Sequence, residues 1–79
     1  MPDFYREAKE RHPGMLLMFR MGEVYKLFAA DAVVAAGVLG VPERRYGDVI
    51  EVQVPLDQLE RCLYAILRAG HRLAVYEQA

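Results

Sequence analysis

Apolar and polar positions change their spacing several times along this 79-residue chain, and each change marks an element. Asp3 to Arg11 is mostly charged, with Phe4 or Tyr5 and Ala8 as a narrow apolar face. That predicts a short helix, capped by Asp3 and ended by Pro13-Gly14. Arg6/Glu10 and Glu7/Arg11 stand at i,i+4 on it, where opposite charges support a helix weakly. Met15 to Met21 is an apolar run broken only by Arg20, and Val24 to Phe28 is a second strand-like run. Gly22-Glu23 between them suits a two-residue turn, so the pair reads as a hairpin. Ala30 to Leu39 is rich in the best helix former, with Gly40 and Pro42 as stop signals. Ala32, Ala35, Ala36 and Leu39 form one face of that helix, and Val33, Val34 and Gly37 lie opposite. Glu43 to Asp48 reads as a polar loop. Val49 to Val54 alternates, with Glu51 and Gln53 on a wetter face, and reads as a strand. Pro55 opens a helix over Leu56 to Ala69, whose Leu59, Cys62, Leu63, Ile66 and Leu67 recur at helical spacing, and Gly70 stops it. Arg72 to Glu77 is the last strand. The predicted order is α-ββ-α-β-α-β, one α/β (α+β) domain over residues 1–79.

Composition narrows the picture. A hydrophobic fraction of 54% is too high for a disordered segment. A domain of this size buries only about 60–65% of its unfolded surface, which predicts modest stability. A net charge of −1 and a pI near 6.1 exclude a strong global pull on nucleic acid. Any DNA contact has to be local or supported by a partner. No apolar run reaches the roughly 18–20 residues that span a bilayer, so no membrane association is expected. The start, Met1-Pro2-Asp3-Phe4, has no signal-peptide core, and the single Cys62 has no internal disulfide partner. These features point to the cytoplasm.

Candidate chemistry is sparse. The chain has no Ser, Thr, Asn or Trp, so it lacks a hydroxyl nucleophile other than tyrosine and cannot form a P-loop ending in Lys-Ser or Lys-Thr. His12, His71 and Cys62 make no zinc pattern. Cys62 lies on the apolar stripe of its helix and reads as a core thiol. His12 and His71 follow helix ends and read as surface residues. Glu23, Glu51 and Glu77 show no spacing that suggests acid–base work. Arg44-Arg45 is a small basic loop that reads as solvated, with phosphate contact as its functional alternative. The expectation is a domain with no catalytic residue, metal or cofactor.

Several stretches together resemble a known family. Phe4-Tyr5-Arg6-Glu7-Ala8-Lys9-Glu10-Arg11-His12-Pro13 precedes Leu16-Leu17-Met18-Phe19-Arg20-Met21-Gly22-Glu23-Val24-Tyr25-Lys26-Leu27-Phe28 and Asp31-Ala32. Val54-Pro55, the Leu59–Leu67 helix, Gly70 and Ala74-Val75-Tyr76-Glu77-Gln78 follow. In this order they resemble the N-terminal, mismatch-recognition domain of the MutS proteins over nearly the whole chain. The resemblance implies a mixed sheet packed with about three helices, at the front of a larger clamp-shaped dimeric ATPase. It also implies that the hairpin presents a Phe-x-Glu element to DNA, the Phe stacking as a wedge on a mispaired base and the Glu hydrogen-bonding to that base.

This chain departs from the pattern. Val24 stands at the Phe position and Lys26 at the Glu position. Valine has no π face, so the stacking contribution of about 1–3 kcal/mol is lost. An ammonium has no acceptor atom. Lys26 instead suits a phosphate, and Arg45 falls where the family carries a basic loop near DNA. Val33, Val34 and Gly37 occupy helix positions where the family carries charged or polar residues, and exposed apolar surface on a small domain often marks an interface. The lever, clamp and ATPase segments are missing. The chain is therefore either an excised piece or a stand-alone divergent relative, and its Met1 start and lost Phe-x-Glu favour the latter. Two expectations follow. One is weak, backbone-directed binding to double-stranded DNA through Val24, Tyr25, Lys26, Arg44 and Arg45. The other is assembly with a second copy or a partner protein through Val33, Val34 and Gly37.

Overall fold

The computed structural model describes residues 2–77. Gln78, of the Glu-Gln pair quoted above, lies outside them. Among the described residues the order is α1 (Asp3–Arg11), β1 (Leu16–Met21), β2 (Val24–Phe28), α2 (Ala29–Leu39), β3 (Arg44–Tyr46), β4 (Val49–Pro55), α3 (Leu59–Arg68) and β5 (Leu73–Tyr76). One five-stranded sheet runs β3-β4-β2-β1-β5. The β1–β2, β2–β4 and β3–β4 pairs are antiparallel, and β1–β5 is parallel. The domain is α+β with a mixed sheet, as the residue pattern and the resemblance imply. No helix among the described residues is long and apolar enough to cross a membrane.

Helices cover both faces of the sheet, which explains the unbroken apolar run of β1. Leu16 and Met18 enter the larger core with Tyr25, Leu27, Val52, Val54, Ala32, Ala35 and Ala36 of α2, and Cys62 and Ile66 of α3. Leu17 and Phe19 point the other way and join Tyr5, Ala8 and Phe28 under α1. A strand buried on both sides has no polar positions to alternate with. The aromatic rings in and around the smaller core meet edge to face, tilted or stacked. Phe4 lies 5.0 Å from Phe19 edge-on, and Phe19 stacks on Tyr76 at 5.0 Å.

Some local expectations change. The residue preceding α1 is Pro2, and Asp3 makes no capping bond, lying instead in the first turn. Among the described residues the ion pair within this helix is Arg6–Asp3 at 4.0 Å rather than either i,i+4 pair. The segment read as a polar loop contains β3, whose three residues are all exposed. Pairing to β4 rather than apolar pattern makes it a strand. Leu56–Gln58 is a 3-10 turn, so the regular helix starts only at Leu59. Ala29 joins β2 directly to α2 with φ +57°, the left-handed region that disfavours residues with a Cβ.

Asp31 ties three of these elements together. Its carboxylate is buried and accepts from Lys9 Nζ at 2.9 and 3.2 Å, Tyr5 OH at 2.9 Å and the Leu17 amide at 3.2 Å. Lys9 Nζ also donates to the Met15 carbonyl at 2.6 Å. One carboxylate at the start of α2 thereby fixes α1 against β1. Burial and the bond to Asp31 push the Tyr5 phenol well above its ordinary pKa.

Candidate nucleic-acid interface

The hairpin turn puts Gly22 at φ +69°, a conformation open to glycine, and brings Met21 opposite Val24. Strand alternation then assigns each residue of the turn-proximal end to a face. Val24, Lys26 and Phe28 share the α1 face with Gln53 and Glu51, since Lys26 pairs with Gln53 and Phe28 with Glu51. Arg44 pairs with Glu51 and joins the same face, whereas Arg45 pairs with Ile50 and points to the other. α1 covers the β1 side of this face. Towards the turn and towards β3 the face is open, with Val24, Lys26 and Gln53 half-buried and Arg44, Tyr46 and Pro55 exposed. Met21, next to Val24, is 38% exposed. A groove of about 930 Å³ runs beside the tip, lined by Phe4, Phe19, Met21 and Tyr76 with Arg11 and Glu7 among its polar groups.

Glu51 is the unexpected member of this surface. The alternation of β4 puts it on the wetter face, yet it is only 6% exposed. Lys26 Nζ lies 3.3 Å from its Oε2, and Gln53 Nε2 donates to the same oxygen at 2.6 Å. The lysine is thus held by a carboxylate on the neighbouring strand. Opposite charges at diagonal positions of two adjacent strands are the signal that betrays this pair, but only once the register is known.

Tyr25 does not belong to this surface. It pairs with Val54 and points into the larger core, and it is 4% exposed. Its hydroxyl donates to Glu77 Oε2 at 2.7 Å, which holds the phenol above its ordinary pKa, with burial adding to the effect. Glu77 also lies 3.7 Å from Arg20. Tyr25, named with the DNA-side residues from the sequence, is thus buried on the opposite face from Val24 and Lys26, and its hydroxyl ties the hairpin to the end of β5.

The α2 residues divide. Val33 is 45% exposed. Gly37 is exposed too. Val34, however, packs against the larger core. The outward apolar face is therefore narrower than the sequence suggests.

Cys62 is buried, and burial raises its thiol to about 11. His12 is half-buried beside the Tyr76 ring, 6.4 Å between centroids. His71 is half-buried as well. Among the described residues no cluster of His, Cys, Asp and Glu could hold a metal ion.

The sequence as a whole identifies the family. The profile of MutS domain I matches residues 1–79. The chain belongs to the MutS domain I family. Among curated relatives, the DNA mismatch repair protein MutS of Nitrobacter winogradskyi is 39% identical over 83 residues, covering 99% of this chain and 9% of the relative. The MutS protein of Rhodopseudomonas palustris strain BisB18 gives the same figures. That of Azorhizobium caulinodans is 39% identical over 79 residues, covering 94% of this chain and 8% of the relative. The chain thus spans about a tenth of the length of these MutS proteins, 8–9%. Within this MutS domain I, the hairpin carries Val24 and Lys26 at its tip, with Glu51 behind the lysine.

Proposed function

We propose that this domain is a non-catalytic DNA-contacting module of the mismatch-recognition type, with weak and largely sequence-independent affinity for duplex DNA. The observation that carries the reading is the hairpin tip of a MutS domain I whose open sheet face holds Val24, Lys26 and Arg44. Val24 and its neighbour Met21 offer an aliphatic edge, of the kind that wedges base steps without stacking on them. Arg44 on this face and Arg45 at the adjoining sheet edge are exposed, and neither makes an ion pair among the described residues. They supply the phosphate contacts. Lys26 replaces the acceptor that would read a base, so a mismatch gains little over a matched pair. Titration of matched and mismatched duplexes at two salt concentrations tests this. The expected result is binding at low salt that weakens steeply with added salt and shows little mismatch preference. No binding to either duplex at low salt would sink the reading.

A second reading is favoured by Val33, a valine 45% exposed on a helix whose outer positions also include the exposed Gly37. Here the domain keeps the fold and serves assembly with a second copy or a partner protein. Sedimentation velocity separates the two readings. A clean monomer at high concentration argues against self-association. An oligomer that Val33→Glu disperses without loss of helical signal supports it.

A further inference from the structure

The Lys26–Glu51 pair lies on the surface assigned above to DNA, and this inference rests on that assignment. We propose that Glu51 determines what position 26 offers to DNA: its carboxylate withholds the Lys26 ammonium from backbone phosphates. The Glu51 side chain is 8% exposed and that of Lys26 25%. The carboxylate is also fixed in place, because Gln53 Nε2 donates to the same Oε2 at 2.6 Å that faces Lys26 Nζ at 3.3 Å.

The two choices open to Lys26 are therefore unequal. An ammonium on a flexible stem can swing to a phosphate, but doing so leaves Glu51 desolvated and without its counter-charge. The amide of Gln53 remains as its partner, and an amide does not neutralise a carboxylate. Coulomb attraction is also stronger at this partly desolvated position than at a phosphate surrounded by water and counterions. Arg44 and Arg45 carry no such restraint. The positive charge of the reading surface thus sits at the β3 edge, and the hairpin tip is electrostatically quiet.

Releasing the lysine tests the idea. Glu51→Met removes the acceptor while filling a similar volume, and Glu51→Gln keeps the shape but loses the charge. Each variant is first checked for its native circular dichroism spectrum, then titrated with one matched duplex across a salt series. The expected gain at low salt is about threefold to fivefold, the size of an exposed ion pair, and larger for Met than for Gln. The slope of log affinity against log salt should steepen by about one, the signature of one added phosphate contact. Adding Lys26→Met to Glu51→Met should abolish both changes. Affinity no tighter than that of the native chain overturns the proposal, and so does a gain that persists without Lys26, since that would be general loss of negative charge. The two failures are distinguishable: a native chain that binds while Glu51→Met gains nothing overturns the latch and leaves the weak-binding reading standing. A native chain that fails to bind while Glu51→Met binds would sink the weak-binding reading and uphold the latch.

Discussion

Asp31 offers the sharpest test of how this fold is held together. Its side chain is 5% exposed and faces an ammonium, a phenol hydroxyl and a backbone amide, all of them donors. Asp31→Ala leaves Tyr5 OH and the Leu17 amide without this acceptor and strips Lys9 of its counter-charge, though the Met15 carbonyl remains. Breaking a buried pair by removing one partner costs about 3–5 kcal/mol. At 0.05–0.15 kcal/mol per residue, a domain of this size holds only about 4–12 kcal/mol in total. Asp31→Ala should therefore remove about a quarter or more of the stability, and at the low end it unfolds the chain. Asp31→Asn keeps one acceptor oxygen but turns an amide donor towards the cluster, so it should be milder and measurable. Urea denaturation followed by far-ultraviolet circular dichroism suits a protein without tryptophan. With a slope of about 1 kcal/mol per molar urea, Asp31→Ala should lower the midpoint by about 3 M or more. The paired variant Lys9→Met/Asp31→Leu should cost less than Asp31→Ala alone, because it leaves no ammonium without a counter-charge. An Asp31→Ala midpoint within 1 M of the native value would refute the view that this carboxylate docks α1.

Three further outcomes are expected. Burial raises the Cys62 thiol from 9.0 to about 11, so its contribution is fully present below pH 9 and is lost as pH rises towards 11; denaturation midpoints should fall across that window, less so in Cys62→Ala. The double substitution Val24→Phe/Lys26→Glu should place two carboxylates together and destabilise the domain at neutral pH by about 1–2 kcal/mol, with recovery on acidification because a shared proton raises the folded-state pKa; thermal melts at pH 5 and pH 7 should show the difference, and adding Glu51→Met should remove it. Ala29→Gly should stabilise by about 0.5–1 kcal/mol despite the lower helix propensity of glycine, because it relieves the positive φ at the β2–α2 junction; an unchanged or lowered urea midpoint would contradict this.

The sequence made some of this fold legible and concealed the rest for physical reasons. The bounds of α1 and the hairpin follow from spacing and turn chemistry, since the Pro13-Gly14 stop and Gly22 act locally. β3 was hidden because Arg44, Arg45 and Tyr46 are all exposed, and an edge strand with no buried side has no pattern to read. The role of Asp31 lies in Lys9 and Tyr5, 22 and 26 residues away, which no local spacing links to it. The sequence offers Lys26 as a cation suited to a phosphate and Glu51 as a carboxylate with no partner at a telling spacing, because only the β2–β4 register makes them neighbours. Tyr25 was grouped with its flanking residues by proximity in sequence, although strand alternation sends it to the opposite face.

The parallel pairing of β1 with β5 also governs the order in which the chain can fold. Leu16-Leu17-Met18-Phe19 takes its last partner from Leu73–Tyr76, at the far end of the described residues. During synthesis the β1–β2 hairpin can close early and β4 can join it, but one flank of β1 stays open until β5 leaves the ribosome. For that interval the most apolar segment is an unprotected edge strand, a template for pairing with another nascent chain. A chain truncated a few residues short of β5 should therefore keep its helices and much of its sheet, yet be prone to aggregate.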